Sequence, residues 1–271
     1  MRRLFLATVM CAMVTGAHAA DLPFLRGSFT DGLSYTRANW EGGYFGGQAG
    51  YGSSDESFNG ANTSILQNLI SDDVIQQMGV ADWTLGLGKV SRQVPGYGAF
   101  AGYNSQWDDV VIGIEASYLH GSFGGSSSAF KQLVSGSPLS DGFYHNVAVT
   151  STDSISITDM ATLRARAGYS IGRFLPYMFG GLALGNADIT RTVTVQDAVS
   201  TAALGPFTSL ATLQGSEAQH NHLIYGYAGG VGVDVNLIDG LFMRAEWEYV
   251  RFTAGVDTSI NTVRLGLGYK F

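Results

Sequence analysis

The chain has 271 residues and a net charge of −7, from 15 basic and 22 acidic side chains, a balance that argues against nucleic acid as a partner. Charged residues make up only 14%, and the 37 glycines are about twice the ~7% share of ordinary proteins. No stretch of the body of the chain approaches the ~20 consecutive apolar residues of a spanning helix, so if this chain enters lipid it does so by strands.

The start reads as an export signal. Arg2 and Arg3 form a charged region, Leu4 to Val14 an apolar one, and Ala17-His18-Ala19 a small-residue cleavage site. The apolar region is too short to cross a bilayer as a helix. The spacing predicts a signal peptide over 1–20 and an N-terminal periplasmic segment over 21–39. Removing the signal makes the net charge more negative and takes away Cys11, the single cysteine. The mature chain then needs no disulfide, thiolate metal site or cysteine nucleophile.

From residue 40 onward the chain alternates with a period of two, which in a strand sends successive side chains to opposite faces. Tyr44 to Tyr51 and Tyr97 to Gln106 are glycine-rich strands. Val110 to Tyr118 sends Ile112, Ile114 and Tyr118 one way and Gly113, Glu115 and Ser117 the other. In Leu163 to Ile171, Leu163, Ala165, Ala167, Tyr169 and Ile171 oppose Arg164, Arg166 and Gly168. Leu175 to Gly185 is expected to turn Tyr177 and Phe179 outward, leaving an apolar inner face of Met178, Leu182 and Leu184. Leu223 to Val235 sets Tyr225, Tyr227, Val231 and Val233 against Gly226, Ala228, Gly230, Gly232 and Asp234. Leu241 to Tyr249 sets Leu241, Met243, Trp247 and Tyr249 against Arg244, Glu246 and Glu248. The last segment, Val263 to Phe271, is the cleanest: every odd position is apolar, every even one Gly, Arg or Lys. Lipid suits one such face and a polar interior the other. These eight strands predict an all-β, eight-stranded antiparallel up-and-down transmembrane barrel over 40–271, an even number as single-chain bacterial barrels require.

The connections alternate in length. Gln106 to Asp109, Gly172-Arg173 and Asn236 to Gly240 are short and turn-like. Long surface loops are expected near 53–95, 121–154 and 188–220, with a shorter one near 253–259. Short turns on the periplasmic side and long loops outside are the habit of outer-membrane barrels. Loops in compact soluble domains seldom exceed ~15 residues, which weighs against a soluble β-sandwich. Within the first loop, Thr63 to Ile70 suits a short amphipathic helix that packs on its neighbours as a cap.

Asn39-Trp40-Glu41-Gly42-Gly43-Tyr44-Phe45-Gly46-Gly47-Gln48-Ala49-Gly50-Tyr51-Gly52 resembles the opening strand of the small opacity-type barrels, in particular the W-x-G-x-Y-x-G start of the RopB-like outer-membrane proteins of alphaproteobacteria. Gly102 to Gln106, Arg164 to Tyr169, Pro176 to Ala183, Arg244 to Tyr249 and the terminal Tyr269-Lys270-Phe271 are similar to that family as well. The resemblance covers about residues 40–271. It implies an OmpA-like barrel with an envelope role, and some members are reported to bind haem.

Three sets of residues are candidates for function. Arg164, Arg166, Arg244 and Arg264 alternate inward with Glu115, Asp234, Glu246 and Glu248, and buried charges must be paired and hydrogen-bonded. They are expected to fill a lumen that eight strands leave only just wide enough for side chains; a gated path for small ions is the alternative. Trp40, Tyr44, Trp107, Trp247, Tyr249, Tyr269 and Phe271 are expected in the interfacial girdles. Alternation would place His220 and His222 on one face, where they could hold haem or a metal, with His120 and His145 on the same side of the membrane. No spacing marks a metalloenzyme or a hydrolase, since Ser117 and His120 fall on opposite faces. The expectation is a monomeric, non-catalytic envelope protein in contact with outer-membrane lipid and lipopolysaccharide. It would be received by the barrel-assembly machinery through its C-terminal strand and meet host or envelope proteins at its loops. A haem or metal receptor and a narrow pore remain as alternatives.

Overall fold

A computed structural model describes residues 38–58, 62–71, 73–83, 85–253 and 257–271. The expected export signal and nearly all of the segment 21–39 lie outside them. Eight strands, each hydrogen-bonded to its sequence neighbours, close into one antiparallel ring. They are β1 (Gly42–Ser57), β2 (Lys89–Trp107), β3 (Val110–Val134), β4 (Tyr144–Tyr169), β5 (Phe174–Ser200), β6 (Thr208–Ile238), β7 (Leu241–Phe252) and β8 (Asp257–Lys270). Closure comes from β1 against β8, with Tyr44 opposite Lys270 and Ser57 opposite Asp257. At the end where Phe271 lies, the turns are tight. Asp108, Gly172 and Gly240 take positive φ there (52°, 60° and 79°), the left-handed geometry that compact turns demand.

The far end departs from expectation. Segments 121–154 and 188–220 are not long loops, because β3 runs on to Val134, β4 starts at Tyr144, β5 reaches Ser200 and β6 starts at Thr208. Alternation simply continues past the lipid-facing stretch with smaller and more polar residues. Val147, Val149, Ser151, Asp153, Ile155 and Ile157 of β4 all turn one way and are buried. These extensions stand above the ring as a four-stranded sheet, β3-β4-β5-β6.

The first long connection fills the hollow of that sheet. Its helix α1 (Thr63–Leu69) and two turns of 3-10 helix (Val74–Met78 and Val80–Asp82) bury Ile65, Leu66, Ile70, Ile75, Val80 and Trp83 against Val147, Val149, Val193 and Val195. Seven residues are too few for a helix to hold itself in water, so packing on the sheet holds it. No Ser or Asp caps α1. Asn62 at its start instead turns its side chain to Ser151 and Asp153 of β4.

Candidate functional site

All eight inward charges are buried and meet in one layer across the ring. Glu115 of β3 is the hub. It accepts from Arg164, which approaches closely, from Arg244 Nη1 at 2.8 Å and from Arg166 Nη1 at 3.3 Å. Asp234 of β6 accepts from Arg166 Nη2 at 2.7 Å and Arg244 Nε at 2.8 Å. Arg164 also donates to both oxygens of Glu246 at 2.7 Å, and Arg264 closes the layer on Glu248. Four guanidinium groups face four carboxylates, so the layer carries no net charge, which is the condition under which ions tolerate burial. Two further donors are used locally: Arg264 Nε donates to Thr262 Oγ1 at 3.1 Å, and Gln48 Nε2 to Ser117 Oγ at 2.8 Å.

Beneath the ions lies an aromatic floor that sequence alternation did not reveal. Trp40 and Tyr44, expected in the girdle, are each only 3% exposed and pack inside with Phe100, Tyr177, Phe179 and Phe242. β5 is inverted in the same sense: Tyr177 and Phe179 face inward, while Met178, Leu182 and Leu184 face outward. The reason is chemical. Tyr44 and Tyr177 have hydroxyls that donate to Glu115 at 2.7 Å and Glu246 at 2.9 Å, so each ring bridges apolar floor and ion layer. Arg166 stacks on Tyr177 at 3.9 Å, Arg164 on Phe179 at 4.0 Å and Arg244 on Phe100 at 4.0 Å, geometry that suits cation–π attraction. Inward glycines clear the space. A Cβ at Gly102 would stand 2.4 Å from the Tyr44 hydroxyl, and one at Gly268 2.4 Å from Phe242 Cζ. A legible signal existed in these glycines: small residues on one strand mark where a neighbour's ring lies.

Above the ions, Phe58, Leu119, Phe123, Ile157, Met160, Ile224, Val250, Phe252 and Ile260 form an apolar layer, and the helical plug stands above that. The outer wall meanwhile exposes Trp107, Trp247, Tyr269 and Phe271, with Tyr249 half-exposed.

The histidines are dispersed. Asn221 has φ of 53°, and the β5–β6 register jumps there: His222 faces Ala187 and Gln219 faces Ile189. His220 and Asn221 together oppose the single residue Asp188, with His220 Nδ1 3.5 Å from it and the Asn221 N–H donating to it at 2.9 Å. This bulge breaks the alternation that would have aligned His220 with His222. Among the described residues no group of three His, Cys, Asp or Glu is placed to hold a metal ion. His120 bonds Asp159 at 2.9 Å on the outer wall. His145 is fully buried, gripped by Asp197 on Nδ1 and Asp141 on Nε2, both at 2.9 Å. Burial pulls its pKa down, but the hydrogen bonds to Asp197 and Asp141 outweigh it and hold the imidazole above its ordinary value.

The description of an outer membrane protein β-barrel domain matches residues 7–271. This chain belongs to the outer-membrane β-barrel family. Its relatives include the 31 kDa outer-membrane immunogenic protein of Brucella melitensis, 28% identical with both chains covered in full. The 25 kDa outer-membrane immunogenic protein of Brucella ovis is 26% identical, over 86% of this chain and 79% of its own length. Among solved structures, the attachment invasion locus protein Ail of Yersinia pestis aligns over 85% of this chain and 99% of its own with 15% identity and a TM-score of 0.34. An outer-membrane barrel it is, with its place in the cell envelope of a Gram-negative bacterium.

Proposed function

We propose that this outer-membrane barrel is a closed, non-catalytic anchor that fixes a tall sheet on the cell surface for contact with other proteins. The observation that carries this reading is the filled lumen. Aromatic floor, neutral ion layer, apolar layer and helical plug succeed one another along the axis. The carboxylates are engaged by arginine and tyrosine rather than left poised for proton transfer. The four extended strands are favoured as the outward end because the opposite end holds the tight turns. The immunogenic relatives agree with an exposed outer part. Residues 1–20 are read as the export signal, 21–39 as a short periplasmic lead, and β8 with its terminal Phe271 as the strand the assembly machinery receives.

Conductance of the refolded barrel in a planar bilayer tests this. The expected trace is flat at all voltages, and stable conductance steps would overturn the closed-barrel reading in favour of a narrow pore.

A further inference from the structure

β6 is paired with β5 along almost its whole length, but with β7 only between Gly226 and Ile238. Beyond it the last contact is a 3.5 Å bond from the Thr253 N–H to the Tyr225 carbonyl. Among the described residues no strand pairs with the free side of β6 from Thr208 to Ile224. An unpaired strand presents a row of N–H and C=O groups that an extended chain can satisfy. Two register shifts divide this edge, one at Asp197/Ala198 and one at Ala187/Ile189. They leave a regular stretch from Ala211 to Gln219.

That stretch lacks the usual protections of an edge, which are Lys, Pro, bulges and several charges. Its sequence, Ala-Thr-Leu-Gln-Gly-Ser-Glu-Ala-Gln, carries Glu217 as its single charge. The opposite edge of the sheet, β3 from Ser122 to Val134, is guarded. It has a register shift between His120 and Phe123, a glycine at φ 148° (Gly124) and Lys131, which lies 4.7 Å over the Trp83 ring. On the β6 side, Leu213 and Leu69 of α1 are half-exposed and pack on the plug, leaving an apolar shoulder beside the free backbone.

We infer that the edge Ala211–Gln219 docks an extended segment of another protein, which adds to the sheet as a further antiparallel strand. This rests on the reading that the tall sheet stands outside the cell. The segment turns apolar side chains toward Leu69 and Leu213 and a basic one toward Glu217, the residue that stands opposite Arg191 in the register with β5. A second copy is disfavoured as occupant: barrels in one membrane are inserted the same way, so two β6 edges run in the same direction and cannot pair antiparallel, and the β3 edge, which does run antiparallel to β6, is the guarded one.

The probe is a fluorescent peptide of residues 189–197, Ile-Thr-Arg-Thr-Val-Thr-Val-Gln-Asp, titrated onto the refolded full chain in detergent. Two further peptides carry N-methyl groups at odd or at even positions, which blocks one edge of each. Saturable binding is expected for the plain peptide and for one methylated form, with at least a tenfold loss for the other. Gln214→Lys/Ser216→Lys, checked for an intact barrel by heat-dependent gel mobility, loses binding at least tenfold. No saturation, equal binding of both methylated peptides, or indifference to the lysines overturns the inference. Spontaneous disulfide dimers of Ser216→Cys in membranes overturn it in favour of a second copy. Failure here leaves the flat conductance trace untouched, and conductance steps leave the peptide titration untouched.

Discussion

The two halves of this molecule obey the same alternation but bury different things. In the ring, the inward face holds four arginines and four carboxylates beneath an apolar cap, and the outward face is apolar. In the tall sheet, the inward face of β4 and β5 is valine packed on a borrowed helix, and the far side is Ser, Thr and Gln. Lipid supplies the outer partner in the first half, so the polar residues must satisfy each other inside. Water surrounds the second half, so its apolar residues need a cover, and the connection after β1 provides it. Covalent continuity joins the halves, but their cores are separate clusters.

Separate cores should fail separately. Arg244 touches both Glu115 and Asp234, so Arg244→Ala strips a partner from each of two buried carboxylates and leaves the layer one positive charge short. A loss of about 3–5 kcal/mol is expected, read as a lower urea midpoint of the whole barrel in detergent. Ile70→Ala, at the centre of the plug, is expected to cost about 2–5 kcal/mol locally. Hydrogen exchange should rise at residues 147–149 and 193–195 while the barrel's urea midpoint stays put. A shift of both together would show that the halves are one cooperative unit. Gly268→Ala drives a methyl into Phe242 and should cost about 1–3 kcal/mol by overpacking, again read in the ring alone.

The smallest effect is expected at the tip of the sheet and follows pH. His145 is held above its unfolded value of about 6.5, so the clamp contributes fully below that pH and fades as pH rises through the folded value. Asp141, held below its usual value by the Phe143 N–H and by His145, contributes above the ordinary carboxylate range and loses its part as pH falls. Proteolysis of the turn between Ser135 and His145 should therefore be slowest at mildly acidic pH and speed up on either side. In His145→Gln the acceleration on the alkaline side should vanish.

Much of the ring was legible because lipid enforces a strict rule. Five strands, β3, β4, β6, β7 and β8, showed their facing directly, down to Arg164 against Leu163 and Arg244 against Met243. The rule misled where aromatics sit inside. Trp40, Tyr44, Tyr177 and Phe179 look like lipid-facing residues, and only the glycines of neighbouring strands show that room was made for them. The tall sheet was missed because its alternation is written in Ser, Thr, Asp and Val, without the bulky face that lipid demands. The bulge at Asn221 was invisible because one positive φ, not a residue pattern, resets the parity between His220 and His222.

The charge layer also constrains how the molecule can enter a bilayer. β3 and β4 together carry Glu115 against Arg164 and Arg166, an excess of one positive charge; β6 and β7 carry Asp234, Glu246 and Glu248 against Arg244, an excess of two negative; and β8 brings the last arginine. Neither the β3–β4 hairpin nor the β5–β6 hairpin is neutral on its own, and their charges cancel only when the two are brought together. Inserted alone, each would drag uncompensated charge into hydrocarbon. These four strands must therefore round up before or while they enter, so that their assembly and the cancellation of their charges are a single event.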